Sequence, residues 1–418
     1  MPPTELTLDA TALLQQIHAL GEVGRPAASP GRTRIALSDE DRAGRDQLVR
    51  WMRELGLAVR VDRIGNVLGI LQPEGAAAGG GRPLMMGSHI DTVHQAGALD
   101  GCYGVLAGLA VVRAYRQAGS QPGRPIVVAA FTNEEGVRYQ PDMMGSLVYA
   151  GGLPLQAALD TRGIDGTRLG DELARIGYAG DLEPGAIVPQ EYLELHIEQG
   201  PVLEANGDLI GAVQDLQGIS WQRITVQGVA NHAGTTPTRL RHDPAYVAAA
   251  CQVFLREQVA DADPGTTLAT TGSLRLEPDL INVIPRKATF TVDLRDPDAG
   301  RLQAARQRFV GFLADLAARE GVRFETESLV DLAPVVFDPG LVARIEAAAA
   351  RRSLPCRRMT SGAGHDAQMI ARIAPSAMIF VPSRAGISHN PREHTDDAQL
   401  VLGARVLLDV VQGCLGVH

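Results

Sequence analysis

The sequence predicts an α/β fold, with one α/β domain built on a mixed central sheet and interrupted by an inserted ferredoxin-like α+β unit. Three observations predict it. The chain has 418 residues, too many for one ordinary core, so two domains are expected. Apolar runs such as Ile126 to Phe131 alternate with amphipathic stretches before residue 213 and after residue 331, the pattern of strands and helices taking turns. Between them the order is strand, helix, strand, strand, helix, strand, which is the ferredoxin-like unit. The expected domains are therefore 1–213 with 331–418, and 214–330 as the insertion.

In chain order, residues 7–20 form an amphipathic helix. A loop rich in Gly, Pro, Arg and Ser (Gly21 to Arg34) leads to a second helix, from Ser38 as N-cap to Leu55. Val59 to Asp62 and Asn66 to Leu71 pair as a hairpin around Arg63-Ile64-Gly65. Gly75 to Gly81 is a flexible turn. Pro83 to Gly87 is a short strand leading into Ser88-His89-Ile90-Asp91-Thr92. Val105 to Arg116 is a helix whose small and apolar residues suit close packing on a sheet. After the strand Ile126 to Phe131, an irregular region (137–190) carries two helices, and Glu191 to Ile197 is the next strand. The insertion has strands at 219–228, 267–276, 287–294 and 322–328, and helices at 243–259 and 299–320. Helices at 339–351, 366–373 and 398–415 and a strand at 377–382 complete the chain.

Hydrophobic residues make up 45% of the chain and charged residues 21%, a soluble globular mix. A net charge of −9 argues against nucleic acid or anionic membrane as a partner. The first twenty residues show no basic stretch followed by an apolar core, so no signal peptide is expected, nor any run long enough to span a bilayer. The cysteines Cys102, Cys251, Cys356 and Cys414 never stand at metal-ligand spacing and read as reduced thiols. The expected location is the cytoplasm.

Phe131-Thr132-Asn133-Glu134-Glu135-Gly136 sets two adjacent carboxylates where a buried strand stops. Like charges side by side repel, so a cation is expected beside them, with one carboxylate as ligand and its neighbour as general base. Alone, the pair would read as a solvated strand end. Its company changes that reading. His89, Asp100, Glu135, His196 and His389 all fall at the carboxyl end of an expected strand or in the loop that follows it, the edge where open α/β sheets bind ligands. Imidazoles together with carboxylates suit zinc, manganese or cobalt. Five such groups exceed the need of one four-coordinate ion and fit two ions about 3.5–4 Å apart that share a carboxylate.

The sequence resembles the hydantoinase/carbamoylase-type amidases of the dinuclear metallopeptidase superfamily over nearly its whole length. The segments that carry the resemblance are Gly87-Ser88-His89-Ile90-Asp91-Thr92-Val93, Leu99-Asp100-Gly101, Thr132-Asn133-Glu134-Glu135-Gly136, Leu195-His196-Ile197-Glu198-Gln199-Gly200-Pro201, Asn231-His232-Ala233-Gly234-Thr235-Thr236-Pro237 and Ser388-His389-Asn390-Pro391. It implies that His89, Asp100 and His196 hold one ion and Asp100, Glu135 and His389 the other, with Asp100 bridging. It also implies Glu134 as the general base and Asp91 as the carboxylate that orients His89.

The resemblance implies that the insertion is a lid and dimerisation domain. It further implies that His232, a donor to a developing oxyanion, Asn282 and Arg295 act from that domain, with Gln199 and Gly364 contacting substrate from the α/β side. The guanidinium of Arg295 matches a substrate carboxylate; without the resemblance it would be read as paired with Asp293 or Asp296. A homodimer in which His232 reaches the neighbour's site is expected. The implied reaction is hydrolysis of an N-carbamoyl-L-amino acid to the amino acid, ammonia and carbon dioxide. The same core also serves allantoate or β-ureido acids. A non-catalytic scaffold is opposed by the retained Glu134 and complete ligand set, and an aminopeptidase would need a pocket for a free amine. Leu99 and Thr238 depart from the family's usual aromatic residue and methionine, which leaves the substrate's side chain open.

Overall fold

A strand buried at every residue, as Ile126–Phe131 is, must be covered on both faces of its sheet. Leu84–His89 and Ser376–Val381 are buried in the same way, and these strands form the centre of the α/β unit. The computed structural model describes residues 6–73, 81–260 and 266–415; the turn expected at Gly75 to Gly81 lies outside them except for Gly81. Two compact units emerge, Met1–Gln214 with Phe337–His418, and Asp215–Val336. The expected edge at 330/331 falls inside a strand that runs on to Leu332.

In chain order the strands are β1 (Ala58–Val61), β2 (Val67–Leu71), β3 (Leu84–His89), β4 (Ile126–Phe131), β5 (Glu191–Ile197), β6 (Ile210–Leu216), β7 (Gly218–Gln227), β8 (Asn231–His232), β9 (Leu268–Thr270), β10 (Leu274–Glu277), β11 (Val283–Ile284), β12 (Lys287–Asp296), β13 (Arg323–Leu332), β14 (Val335–Val336), β15 (Cys356–Ser361) and β16 (Ser376–Val381). The α-helices are α1 (Ala10–Gly21), α2 (Asp39–Glu54), α3 (Cys102–Ala118), α4 (Met144–Tyr149), α5 (Leu155–Asp160), α6 (Leu169–Ile176), α7 (Val202–Asn206), α8 (Pro244–Phe254), α9 (Ala299–Glu320), α10 (Pro339–Arg351), α11 (Asp366–Ile370) and α12 (Asp397–Leu415).

The large sheet is mixed, in the order β1-β2-β4-β3-β5-β16-β6-β14, with β15 also on β6. Its middle, β4-β3-β5-β16, is parallel throughout. Register aligns the ends, His89 facing Phe131 and His196 facing Phe380. Four carboxyl ends therefore open on one edge, and the loops leaving them meet there.

Ser38 caps α2 as expected, accepting the Asp41 N–H at 3.2 Å. Region 137–190 holds three helices, α4 to α6, where two were expected. β6 and β15 were not expected at all: Gly211 and Asp215 interrupt one, and paired arginines, Arg357 and Arg358, the other. Asp397–Leu415 is long and apolar enough to cross a membrane, which corrects the expectation that no segment would be. Here it is a core helix, packed on α3, α10 and β16.

The second unit has the sheet order β10-β12-β7-β13 with β9 on β12, all pairs antiparallel, which is the ferredoxin-like arrangement. The stretch expected as one strand at 267–276 is two, β9 and β10. Alternate residues of β7 and β12 (Ile224, Val226, Phe290, Val292) bury against Val247 and Cys251 of α8 and Phe309 and Leu313 of α9. The opposite face of the strands carries Trp221, Arg223, Asp293 and Arg295.

Candidate metal centre and active site

His89 ends β3, 2% exposed, and its Nδ1 lies 3.0 Å from the carbonyl oxygen of Asp91. A carbonyl can only accept, so Nδ1 carries a ring proton, and Nε2 is the atom turned toward Asp100. His196, on β5, does the same through the Ile197 carbonyl at 2.8 Å. Both Nε2 atoms face one side of Asp100, whose Oδ1 lies 3.6 Å from His89 and 3.2 Å from His196. On the other side, Oδ2 lies 3.2 Å from His389 Nε2, which is 3.4 Å from Glu135. The structure thus brings all five together as two groups, His89-Asp100-His196 and Asp100-Glu135-His389. Within each group one donor atom per residue lies within 4.8 Å of the others.

Local sequence explains the convergence. Gly101 opens α3 at φ +66, and a Cβ there would stand 2.4 Å from the His89 ring, so only glycine lets the helix start against that imidazole. Asn133, Gln199 and His389 hold left-handed φ values of 56, 57 and 53, strain of the kind that surrounding contacts must impose and that collects at functional sites. Asp91 behaves differently from expectation. Its carboxylate accepts the N–H groups of Glu134 and Glu135, both at 3.3 Å, and lies 3.8 Å from His89. The Asp91 carbonyl, not its carboxylate, orients the ring.

Glu134 stands 3.4 Å from His89 Nε2. Burial pushes its carboxyl well above the usual range; the His89 charge opposes this, and repulsion from Asp366 and Glu135 adds to it. Burial and the Asp100 charge raise Glu135 to about 8. Burial would raise Asp100 too, but hydrogen bonds from His196, His389 and His89 outweigh it and hold it well below the carboxylate range. His389 rises to about 9, chiefly through its hydrogen bond to Asp100.

Glu135 Oε1 and Gln199 Oε1 are buried with no hydrogen-bond partner among the described residues. A buried carboxylate oxygen without a donor is costly unless a cation meets it, so the donor set fits divalent metal. A third group, Glu194-His196-His365, does not: Glu194 already accepts from Ser88 at 2.6 Å, Ala367 N–H at 2.7 Å and Tyr192 at 3.2 Å. The cavity above the centre, about 160 Å³, is lined by Asp100, Glu134, Glu135, Gln199, Gly364 and His389 among others. Gln199 Nε2 donates to Asp100 Oδ2 at 2.8 Å.

In the second unit, His232 and Val283 face each other in the short β8–β11 ladder, and Asn282 beside it accepts the Ala233 N–H at 3.0 Å. His232 Nδ1 accepts the N–H groups of Gly234 (3.0 Å) and Thr235 (3.2 Å), which places the ring proton on Nε2 as an exposed donor. Arg295 stands apart from them. Eight residues of extended strand, about 26 Å, separate it from Lys287 at the ladder's end of β12. Its guanidinium pairs with Asp293 at 2.9 Å and lies over Trp221.

Sequence reasoning missed Arg34 and Arg45, both fully buried. Arg34 donates to the carbonyls of Ile90 (2.7 Å), Leu20 (3.0 Å) and Val23 (2.8 Å), fixing the segment after His89. Arg45 joins Asp41 (2.8 Å) to the Gly65 carbonyl and Thr132, just before Glu134. The helical spacing of Asp41 and Arg45 hinted at the second of them.

Imidazoles and carboxylates gathered at the carboxyl edge of an α/β sheet, with a buried Glu beside them, define the class of metal-centred hydrolytic sites. Peptidase family M20/M25/M40 matches residues 85–413, and the chain belongs to that family. The N-carbamoyl-L-amino-acid amidohydrolase of Rhizobium meliloti is 36% identical over 410 residues, 98% of this chain and 97% of that one. That of Geobacillus stearothermophilus is 38% identical over 404 residues, 96% and 97%. A solved amidase of the hydantoinase/carbamoylase family from Burkholderia multivorans superposes with a TM-score of 0.94 at 39% identity, over 98% of each chain.

Proposed function

We propose that this protein hydrolyses the linear ureido C–N bond of N-carbamoyl-L-amino acids, using two divalent ions of zinc, manganese or cobalt. The observation that carries the reading is Asp100 placed between two donor groups with Glu134 beside them. His89, Asp100 and His196 would hold one ion and Asp100, Glu135 and His389 the other. When bound, such a pair supplies Lewis acidity, acidifying water and polarising a carbonyl. Glu134 takes a proton from the attacking water, whose oxygen bonds to the carbamoyl carbon. The C–N bond then breaks, and Glu134 returns the proton to the departing nitrogen. The amino acid leaves, and the carbamate decomposes to ammonia and carbon dioxide. His232 Nε2–H donates to the developing oxyanion, Gln199 Oε1 accepts from the ureido N–H, and Asn282 and the Gly364 backbone position the substrate.

Arg295 would take the α-carboxylate in bidentate fashion, exchanging Asp293 for substrate. His232 sits on the β8–β11 ladder, which joins the chain before Lys287, while Arg295 lies near the far end of β12, a separation too great for one unit to bring both to one small molecule. That supports a homodimer in which a second copy supplies His232, with the inserted unit acting as lid. The four free cysteines support the cytoplasm as its place.

Ammonia release by the metal-loaded protein from N-carbamoyl-L-amino acids, allantoate, β-ureidopropionate and dipeptides tests the reading. Fastest release from an N-carbamoyl-L-amino acid is expected; release from none of the ureido compounds would refute it. Arg295→Ala should raise KM for carboxylate substrates about 10–100-fold and change kcat by less than about threefold. An unchanged KM would leave Arg295 with only its Asp293 pair.

Ion binding should also depend on pH. Below about pH 9 His389 carries a proton, and below about pH 8 Glu135 does; both must leave for the ion to enter. Affinity should therefore rise with pH and level off near 9. Calorimetry near neutral pH in buffers of different ionisation heat should show close to two protons released at that site, and zero release would contradict the assignment.

A further inference from the structure

Glu393 has no place in the reaction described above, yet it is 9% exposed, a burial that a carboxylate tolerates only with partners. One oxygen, Oε1, accepts the N–H of Leu99 at 2.9 Å and of Asp100 at 3.3 Å. The other, Oε2, lies 3.0 Å from the hydroxyl of Ser388, the residue before His389. A Cβ on Gly97 would stand 2.1 Å from Oε1, so the glycine makes room for the carboxylate. One buried side chain thus ties the loop of Asp100 to the loop of His389, segments 294 positions apart.

Proton count sharpens the point. The Ser388 hydroxyl has one proton and two acceptors at 3.0 Å, Glu393 Oε2 and Asp100 Oδ2. Gln199 already donates to Asp100 Oδ2 at 2.8 Å, and that oxygen also faces His389. A second donor there would occupy electron density that an ion shared with Glu135 and His389 needs. We propose that Glu393 is a positioning residue for this centre, clamping the Asp100 backbone and drawing the Ser388 proton away from the Asp100 carboxylate. A glutamine in its place keeps the shape and one acceptor. Its amide N–H turned on Ser388, however, would send the hydroxyl proton to Asp100.

The inference rests on the two-ion reading, and the experiment separates the two. Full-length protein, stripped of ions by chelation, is titrated with Mn²⁺ in a calorimeter, and thermal unfolding of the same samples checks folding. Wild type should bind two ions. Glu393→Gln should keep the tighter ion within about threefold and weaken the other about 10–100-fold, with Glu393→Asp recovering part of the loss. Ser388→Ala should hold both ions within about threefold, because the proton it removes belongs to Glu393. If Glu393→Gln does not fold, Glu393→Asp and Ser388→Ala carry the test. Two ions bound equally well by wild type and Glu393→Gln would overturn the positioning role alone. A loss at Ser388→Ala as large as at Glu393→Gln would overturn the proton assignment. Fewer than two ions on wild type would overturn the reading beneath both.

Discussion

Replacing Glu134 by glutamine is expected to lower kcat by about 10³–10⁴-fold, the scale of a lost general acid–base, with KM changed by less than about threefold. The substitution removes a proton acceptor and little else. Glu134 belongs to neither donor group, so ion content should stay at the wild-type value. Its burial beside His89 and its upward-shifted carboxyl suit a group that passes a proton from water to nitrogen. Single-turnover rates together with metal analysis check this. A variant with near wild-type kcat would remove Glu134 from the base role, and one that lost its ions would make it a ligand.

Asp100→Ala is expected to have the other large effect, because Asp100 alone faces both donor groups. Its Oδ1 serves the His89 and His196 side and its Oδ2 the His389 side. Loss of that carboxylate should cost most of both ions and several kcal/mol of transition-state stabilisation, on the order of 10³-fold or more in kcat/KM. Metal content should fall well below that of Glu134→Gln, and added Zn²⁺ or Mn²⁺ should not restore the rate. A variant that kept two ions and lost only activity would mean that Asp100 does not bridge.

The parallel centre of the sheet could be read from the chain because Ile126–Phe131 is an apolar run that stops abruptly at a polar motif, while Glu191–Ile197 sets Tyr192, Leu193, Leu195 and Ile197 among polar residues just before another, and strand ends are where such motifs meet. The five donors followed from that edge. Strands such as Cys356–Ser361 stayed hidden because Arg357 and Arg358 mask the alternation on which strand reading depends. Arg34 was hidden by its neighbours: a loop of Gly, Pro, Arg and Ser reads as surface, and nothing in one dimension shows that three carbonyls wait for its guanidinium. Glu393 stands four residues beyond His389, just past the motif, and its partners Leu99 and Asp100 are far away in sequence. The separation of His232 from Arg295 could not be seen either, since it depends on which end of β12 the short ladder joins.

Anomalous scattering from crystals grown with Mn²⁺ or Zn²⁺ tests the central claim most directly. The account predicts two peaks per chain on either side of Asp100, one beside His89 and His196 and one beside Glu135 and His389. A single peak, or peaks out of reach of the Asp100 carboxylate, would contradict it.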